Sequence, residues 1–520
     1  MLECHCAATY LGHIAITSSM KILGPVPRWR SASRTSCAPK HEADVKSSGA
    51  EDWATVWATT CARRPARTRV SPVKPDVGYA RNGDVALAYQ VVGDAPTDLL
   101  AVIGYTSNLE YAWEYPSMAA FLRRLATGRR LILMDRRGSG LSDPFPKEGA
   151  PPLETLIDDV RIVLDAAGST RTALFGLWDG CLTATMLAAT YPERVSDLIL
   201  FSASPNGILD EHSPWAWGHE EWDAWLASIR TGWGTRAWQV ANARWQAPSL
   251  MEDPEELERW IAFSRLSASP SSAEAVLRLE RDTDIRSILP TIRVPTLILS
   301  RVGDQAQRIA GARYMAEHIP GARLVELAGD DAIPWVGDVG SVLTEIERFL
   351  GKNAAVAPTS ARRLSTVLFT DIVGSTDRLA SVGDAAWTER LAKHDRLARD
   401  AIDRHGGRYV VSTGDGLLAT FDGPAAAVRC AQAVVAAVQN LGLEIRAGCH
   451  TGEVELSGDD VRGIAVHIGA RVAALAGPNE VLVSQTVKDL VAGSGLAFED
   501  AGEHELKGVP DTWRLYRAAN

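Results

Sequence analysis

Asp371 closes the apolar run LSTVLFTD, and Asp415 sits in STGDGLLATF, which reads as strand, glycine-containing turn and strand. Carboxylates at neighbouring strand ends can hold two divalent cations. Such a pair can activate a hydroxyl nucleophile and stabilise a departing phosphate group in an in-line displacement. DIVGST supplies Gly374, Ser375 and Thr376 at a helix start, where backbone N–H groups cradle phosphates. An isolated T-G-D-G is ordinarily only a hairpin turn, and here its weight comes from DIVGST upstream. Position 467 and Arg471 are spaced i, i+4 and share one face of an expected helix.

These residues need a frame. A chain of 520 residues is too long for one ordinary domain. At 46% hydrophobic and 23% charged residues it can bury a core. Lys plus Arg number 54 against 64 Asp plus Glu, a net charge of −10, which argues against binding nucleic acid by bulk charge. No run of 18 apolar residues predicts a membrane span, and residues 1–20 lack the basic start and apolar core of a secretory signal. Four of the seven cysteines fall in the first 61 residues and the other three are scattered, which suits a reducing cytoplasm. Cys4, His5 and Cys6 lack the gap of a zinc knuckle and read as chance.

Residues 1–75 hold 11 Lys/Arg against 5 Asp/Glu without sustained periodicity and read as disordered, or as an over-long translation start. From residue 76 short apolar runs at 85–93, 98–104, 130–135, 172–176, 197–202 and 295–300 alternate with helical stretches such as 154–167 and 181–191. This predicts a parallel sheet covered on both faces. Residues 205–280 interrupt the alternation with a helical insert in which seven tryptophans fall between Trp215 and Trp245 inclusive. Residues 351–363 read as an Ala/Pro/Ser linker. Beyond it come a strand, a helix at 384–405, a hairpin ending in 416–421, a helix at 424–439, a strand at 444–450, a helix at 463–476 and closing strands.

Residues 364–520 resemble the class III nucleotidyl cyclase catalytic domain, an α+β ferredoxin-like fold, through LFTDIVGST, STGDGLLATF, RAGCHTGEV and DVRGIAVHIGARV. The resemblance implies a metal set of Asp371, Ile372 and Asp415 holding two Mg²⁺ or Mn²⁺ ions. It also implies base reading by Asp460, transition-state contacts from position 467 and Arg471, and a phosphate contact from Lys507. Arg471 would neutralise charge developing on the transferring phosphate. Because the family divides each site between two such domains, and this chain has one, a homodimer is implied. Two positions depart from the family. His467 replaces the usual Asn and can still donate a hydrogen bond, with a pH dependence near its ordinary pKa of about 6.5. Val411 stands where adenylate-specific members carry Lys, and the lost charged hydrogen bond should cost roughly 1.5–3 kcal/mol of base recognition.

Residues 76–350 resemble the α/β-hydrolase family through MDRRGSGLSD, LFGLWDG, LILSRVGD and ELAGDDAIPWVGD, with 205–280 as its cap. In that family G-x-S-x-G carries the nucleophile on a sharp turn attributed to its glycines. Here Trp178 occupies the nucleophile position and Ala332 the base position, and only the acid survives, as Asp304. No serine-hydrolase mechanism remains. The expectation is a cytoplasmic adenylate cyclase acting on ATP, with a pseudo-hydrolase that is a regulatory domain or a sensor of an apolar small molecule, the plainer reading being a stable remnant or a dimerising scaffold. The alternatives are relaxed use of ATP and GTP, a weak or inactive nucleotide-binding signalling protein, and a hydrolase with an appended regulatory cyclase, against which Trp178 and Ala332 argue.

Overall fold

The computed structural model describes residues 74–146, 149–353, 362–375, 383–412, 415–457 and 460–519, all within one compact unit, Pro72–Asn520. The expectations for residues 1–73 and for Thr376 lie outside the described residues. Lys74 and Pro75, at the end of the segment expected to be disordered, are anchored. Lys74 pairs with Glu110 at 3.1 Å and Glu114 at 2.6 Å, and the Pro75 carbonyl accepts from Gln90 at 2.9 Å.

The first sheet contains β1 (Gly78–Asn82), β2 (Val85–Val92), β3 (Asp98–Val102), β4 (Arg130–Met134), β5 (Thr172–Leu177), β6 (Val195–Phe201), β7 (Thr296–Arg301) and β8 (Arg323–Leu327). Its order is β1-β2-β4-β3-β5-β6-β7-β8, with antiparallel pairing up to β4 and parallel pairing beyond. Every residue of β5 is buried, as a strand covered on both faces requires. The helix after it, Gly180–Thr190, is also buried at every residue, because the sheet covers one side and the strand beginning at Arg362 packs on the other. The insert forms four helices, His219–Gly232, Arg236–Gln246, Pro254–Ser267 and Pro270–Asp282.

The helix Val339–Asn353 takes up the first residues of the expected linker, and β9 (Arg362–Ile372) takes up the last two. The second sheet continues with β10 (Arg408–Ser412), β11 (Leu417–Phe421), β12 (Ile445–Ser457), β13 (Asp460–Arg462), β14 (Val481–Ser484), β15 (Phe498–Glu505) and β16 (Thr512–Ala518). Its order is β10-β11-β9-β12-β14-β16-β15, with β13 paired to β12. Helices Asp384–Arg404, Pro424–Gln439 and Ile464–Leu475 cover it. Gly448 and Gly469 let the last of these lie close on the sheet. A Cβ at Gly448 would stand 2.2 Å from the Ala473 nitrogen, and one at Gly469 would stand 2.5 Å from Val367. No helix among the described residues is long and apolar enough to cross a membrane.

The two sheets meet through named contacts. Leu364 and Leu490 join the apolar core of the first sheet. Arg293 pairs with Glu453 at 2.6 Å, and the Tyr191 hydroxyl donates to Asp422 at 3.0 Å. Glu154 accepts from the Ala425 N–H at 3.0 Å, so a carboxylate of the first domain caps a helix of the second. Gly423 makes room for it, since a Cβ there would stand 2.1 Å from the Glu154 oxygen. Burial pushes the Glu154 carboxyl up to about 7 from its ordinary 4.5. A carboxyl raised in the folded state keeps a proton that the unfolded chain has lost. Stability therefore falls as pH rises from about 4.5 to about 7 and is level above that. Glu154→Gln can still accept from Ala425. It is expected to remove this slope and to gain about 1 kcal/mol at about pH 8, read from urea midpoints at about pH 5 and pH 8.

Candidate functional site

Asp371 is the penultimate residue of β9, and Asp415 lies just before β11. Thr370 pairs with Leu417 in antiparallel register, so the two aspartates fall at the same end of adjacent strands. The Asp371 carboxylate accepts from the Arg446 Nε at 2.9 Å, and Arg446 is also its register partner on β12. Arg446 lies inside one of the motifs that identified the domain, but only strand register reveals that it faces Asp371. Asp415 is half-buried, and the Ile372 side chain is buried. Gly374 adopts φ 66°, a left-handed conformation that suits glycine, and it is exposed next to half-buried Ser375.

The helix Ile464–Leu475 buries Ala465, Ile468, Gly469, Val472 and Ala473. Its other face exposes His467 and Arg471, flanked by Ile464 and Leu475, which are 54% and 43% exposed. The two aliphatic side chains stand at opposite ends of this helix. Arg471 Nε donates to the Lys507 carbonyl at 3.1 Å, which ties the Lys507 loop to this face. Asp460 is exposed on β13. Its oxygens accept from its neighbour's N–H at 2.9 Å and from Arg462 Nε at 2.7 Å, and the Arg462 hydrogen bond holds its carboxyl below the usual range. Val411 lies on edge strand β10 and is 47% exposed. The structure thus brings Asp371 towards Asp415, and Arg471 towards Lys507, within one chain. Among the described residues no cluster of three or more His, Cys, Asp or Glu could hold a metal. A paired carboxylate with backbone carbonyls needs no such cluster, and this all-oxygen donor set fits Mg²⁺ or Mn²⁺.

In the first domain the elbow between β5 and its helix keeps its shape. The left-handed residue is Trp178 itself, at φ 52°, not a glycine. Gly176 and Gly180 serve close approach instead. A Cβ at Gly176 would stand 2.9 Å from the Cys181 Cα, and one at Gly180 would stand 2.1 Å from the Val102 carbonyl. The buried Trp178 indole donates to the Ala332 carbonyl at 2.9 Å, which joins the two residues expected at the nucleophile and base positions. Asp304 is buried; it accepts from the N–H groups of Ala306 and Gln307 at 2.8 and 3.0 Å and from Ser202, and burial pushes its pKa up to about 6. Asp179 is also buried, held by Arg136 and by the Tyr105 N–H at 3.0 Å.

Residues 99–336 match the family model described as alpha/beta hydrolase fold. Residues 361–517 match the one described as Adenylate and Guanylate cyclase catalytic domain. The chain is 31% identical over 157 residues to "Putative adenylate cyclase 3" of Rhizobium meliloti (strain 1021), covering 28% of this chain and 27% of that protein. It is 25% identical over 236 residues to 3-oxoadipate enol-lactonase 2 of Acinetobacter baylyi, covering 45% of this chain and 82% of that one. The solved structure of the adenylyl cyclase CyaB from P. aeruginosa is 21% identical and covers 31% of this chain and 95% of that one, with a TM-score of 0.29. The chain spans 27% and 17% of the lengths of the two Rhizobium meliloti proteins that it matches.

Proposed function

We propose that this chain, an α/β-hydrolase domain followed by a class III adenylate/guanylate cyclase domain, converts ATP to 3′,5′-cyclic AMP and pyrophosphate in the cytoplasm. In this reading its first domain acts as a regulatory pseudo-hydrolase. The observation that carries the reading is the pairing of Asp371 and Asp415 at adjacent strand ends in a domain that also exposes His467 and Arg471 on one helix face.

Asp371, Asp415 and the Ile372 carbonyl would hold the divalent ions. Mg²⁺ or Mn²⁺ bound there would supply positive charge against the triphosphate and favour the 3′-alkoxide. Gly374 and Ser375 would cradle phosphate with backbone N–H groups. Arg471 and Lys507 would meet charge on the phosphates, and Asp460 would read the base. His467 would donate to the ribose. A second copy would pack on that face, so that one chain's carboxylates meet the partner's helix, as the single cyclase domain per chain implies. Asp371 would exchange its Arg446 contact for the ions.

A second reading is a nucleotide-binding domain of weak or absent turnover, and Val411 and His467 favour it. The test is product formation by the full chain with Mn²⁺ and either ATP or GTP. Val411 cannot donate to the base, so kcat/KM for ATP and GTP should differ by less than about tenfold. Arg471→Ala should lower kcat by roughly 10²–10³. No cyclic product from either nucleotide, in a folded dimer, would leave the binding reading.

A further inference from the structure

The insert encloses, against the elbow, a cavity of about 50 Å³ lined by Trp217, Trp225, Trp245 and Tyr105. By this measure a water needs about 10–15 Å³, so the space suits a group of about four or five heavy atoms. The three indoles touch one another, with ring centroids 5.3 Å apart for Trp217 and Trp245, 5.1 Å for Trp225 and Trp245, and 6.3 Å for Trp217 and Trp225. An apolar ligand would want nothing more, yet polar side chains also line the cavity, among them Ser204, Asn206, Gln246, Glu280 and Gln307. Glu280 accepts a hydrogen bond from Gln307 Nε2 at 2.7 Å. Arg136, the guanidinium that acts on it electrostatically, is committed to Asp179. The Gln246 side chain is 5% exposed, and its amide oxygen has no hydrogen-bond partner.

Indole rings carry negative potential on their faces, the Glu280 carboxyl, whose pKa burial raises, supplies negative charge once ionised, and a spare amide oxygen supplies a further acceptor. Together they suit a cation, which would stabilise the ionised form of Glu280. The geometry points to a small alkylammonium cation bound among Trp217, Trp225 and Trp245, with Glu280 as its counter-ion. Burial and the neighbouring Asp179 raise the Glu280 pKa, which is the strain an incoming cation would relieve. The proposal names the ligand class for the sensing role given to the first domain. It rests on that role for its regulatory meaning, while the binding itself needs no nucleotide.

Tryptophan fluorescence and calorimetry on the full chain, without nucleotide and at constant ionic strength, test it. Tetramethylammonium is expected to bind saturably with a Kd of about 1 mM. Its neutral counterpart of equal size, tert-butanol, should bind at least about tenfold more weakly. Glu280→Gln keeps the size and the acceptor for Gln307, and should weaken tetramethylammonium by at least about tenfold while leaving tert-butanol unchanged. Equal binding of the two compounds by the unmodified protein would overturn the proposal in favour of a plain apolar pocket, whether or not the variant folds. So would unaltered affinity in folded Glu280→Gln, or no saturation at about a hundredfold higher concentration. None of these outcomes bears on nucleotide turnover, which is assayed separately.

Discussion

Asp371→Ala is expected to lower cyclic nucleotide formation by at least about three orders of magnitude, roughly 4 kcal/mol of transition-state stabilisation, while the protein stays folded. The two halves of this result come from different physics. In the proposed reaction Asp371 is one of two carboxylates that must concentrate positive charge against a triphosphate, and Asp415 alone would hold the ions weakly. In the fold, by contrast, Asp371 contributes little. Its partner Arg446 is about a third exposed, as is Asp371 itself, and ion pairs so placed are worth under about 1 kcal/mol. The backbone of β9 is held by β11 and β12 on either side, whatever side chain stands at 371. The melting temperature should therefore fall by no more than about 4 °C. Initial rates with Mn²⁺ and a thermal melt on the same sample decide the matter. A variant within tenfold of the parent would remove Asp371 from the site, and an unfolded one would show that the Arg446 contact carries more than its exposure suggests.

Which features the sequence exposes, and which it hides, follows the range of the forces involved. Strands such as β5 and the helix Pro424–Gln439 are written in local periodicity, and their extents agree with the apolar pattern. The placing of Asp371 near Asp415 is legible only through the motifs around them, because the helix Asp384–Arg404 separates the two strands in the chain. Arg446 beside Asp371 is not legible, since only the register of β9 on β12 brings it there. The capping of one domain's helix by Glu154 of the other is hidden for the same reason: nothing near residue 154 refers to residue 425. At the elbow the glycines suggest a turn that needs φ > 0, whereas the structure uses them for contact distance and gives the left-handed conformation to a tryptophan.

That tryptophan supports the other large expected effect. Trp178→Ala should destabilise the first domain by about 3–5 kcal/mol, the range for removing a buried tryptophan, and lower its melting temperature by roughly 8–15 °C. Trp178 is 5% exposed and packs on Tyr105 and Trp260 at ring-centroid distances of 6.4 and 6.3 Å. Its indole N–H satisfies the Ala332 carbonyl, which the variant would leave buried without that donor. Against these losses stands the left-handed backbone, which costs a non-glycine residue about 1–2 kcal/mol. Trp178→Gly should for that reason be less damaging than Trp178→Ala by about 1 kcal/mol, the reverse of the usual order at a buried site. The comparison separates two histories of the same residue. If Trp178 is the plug that replaced a nucleophile, both variants lose packing, glycine recovers part of it through the backbone, and Trp178→Ser gains no ester hydrolysis because position 332 still lacks a base. If the elbow tolerates alanine at a cost below about 1 kcal/mol, the indole is not holding the old active site closed. The cavity beside it would then be open to larger ligands than its present volume allows.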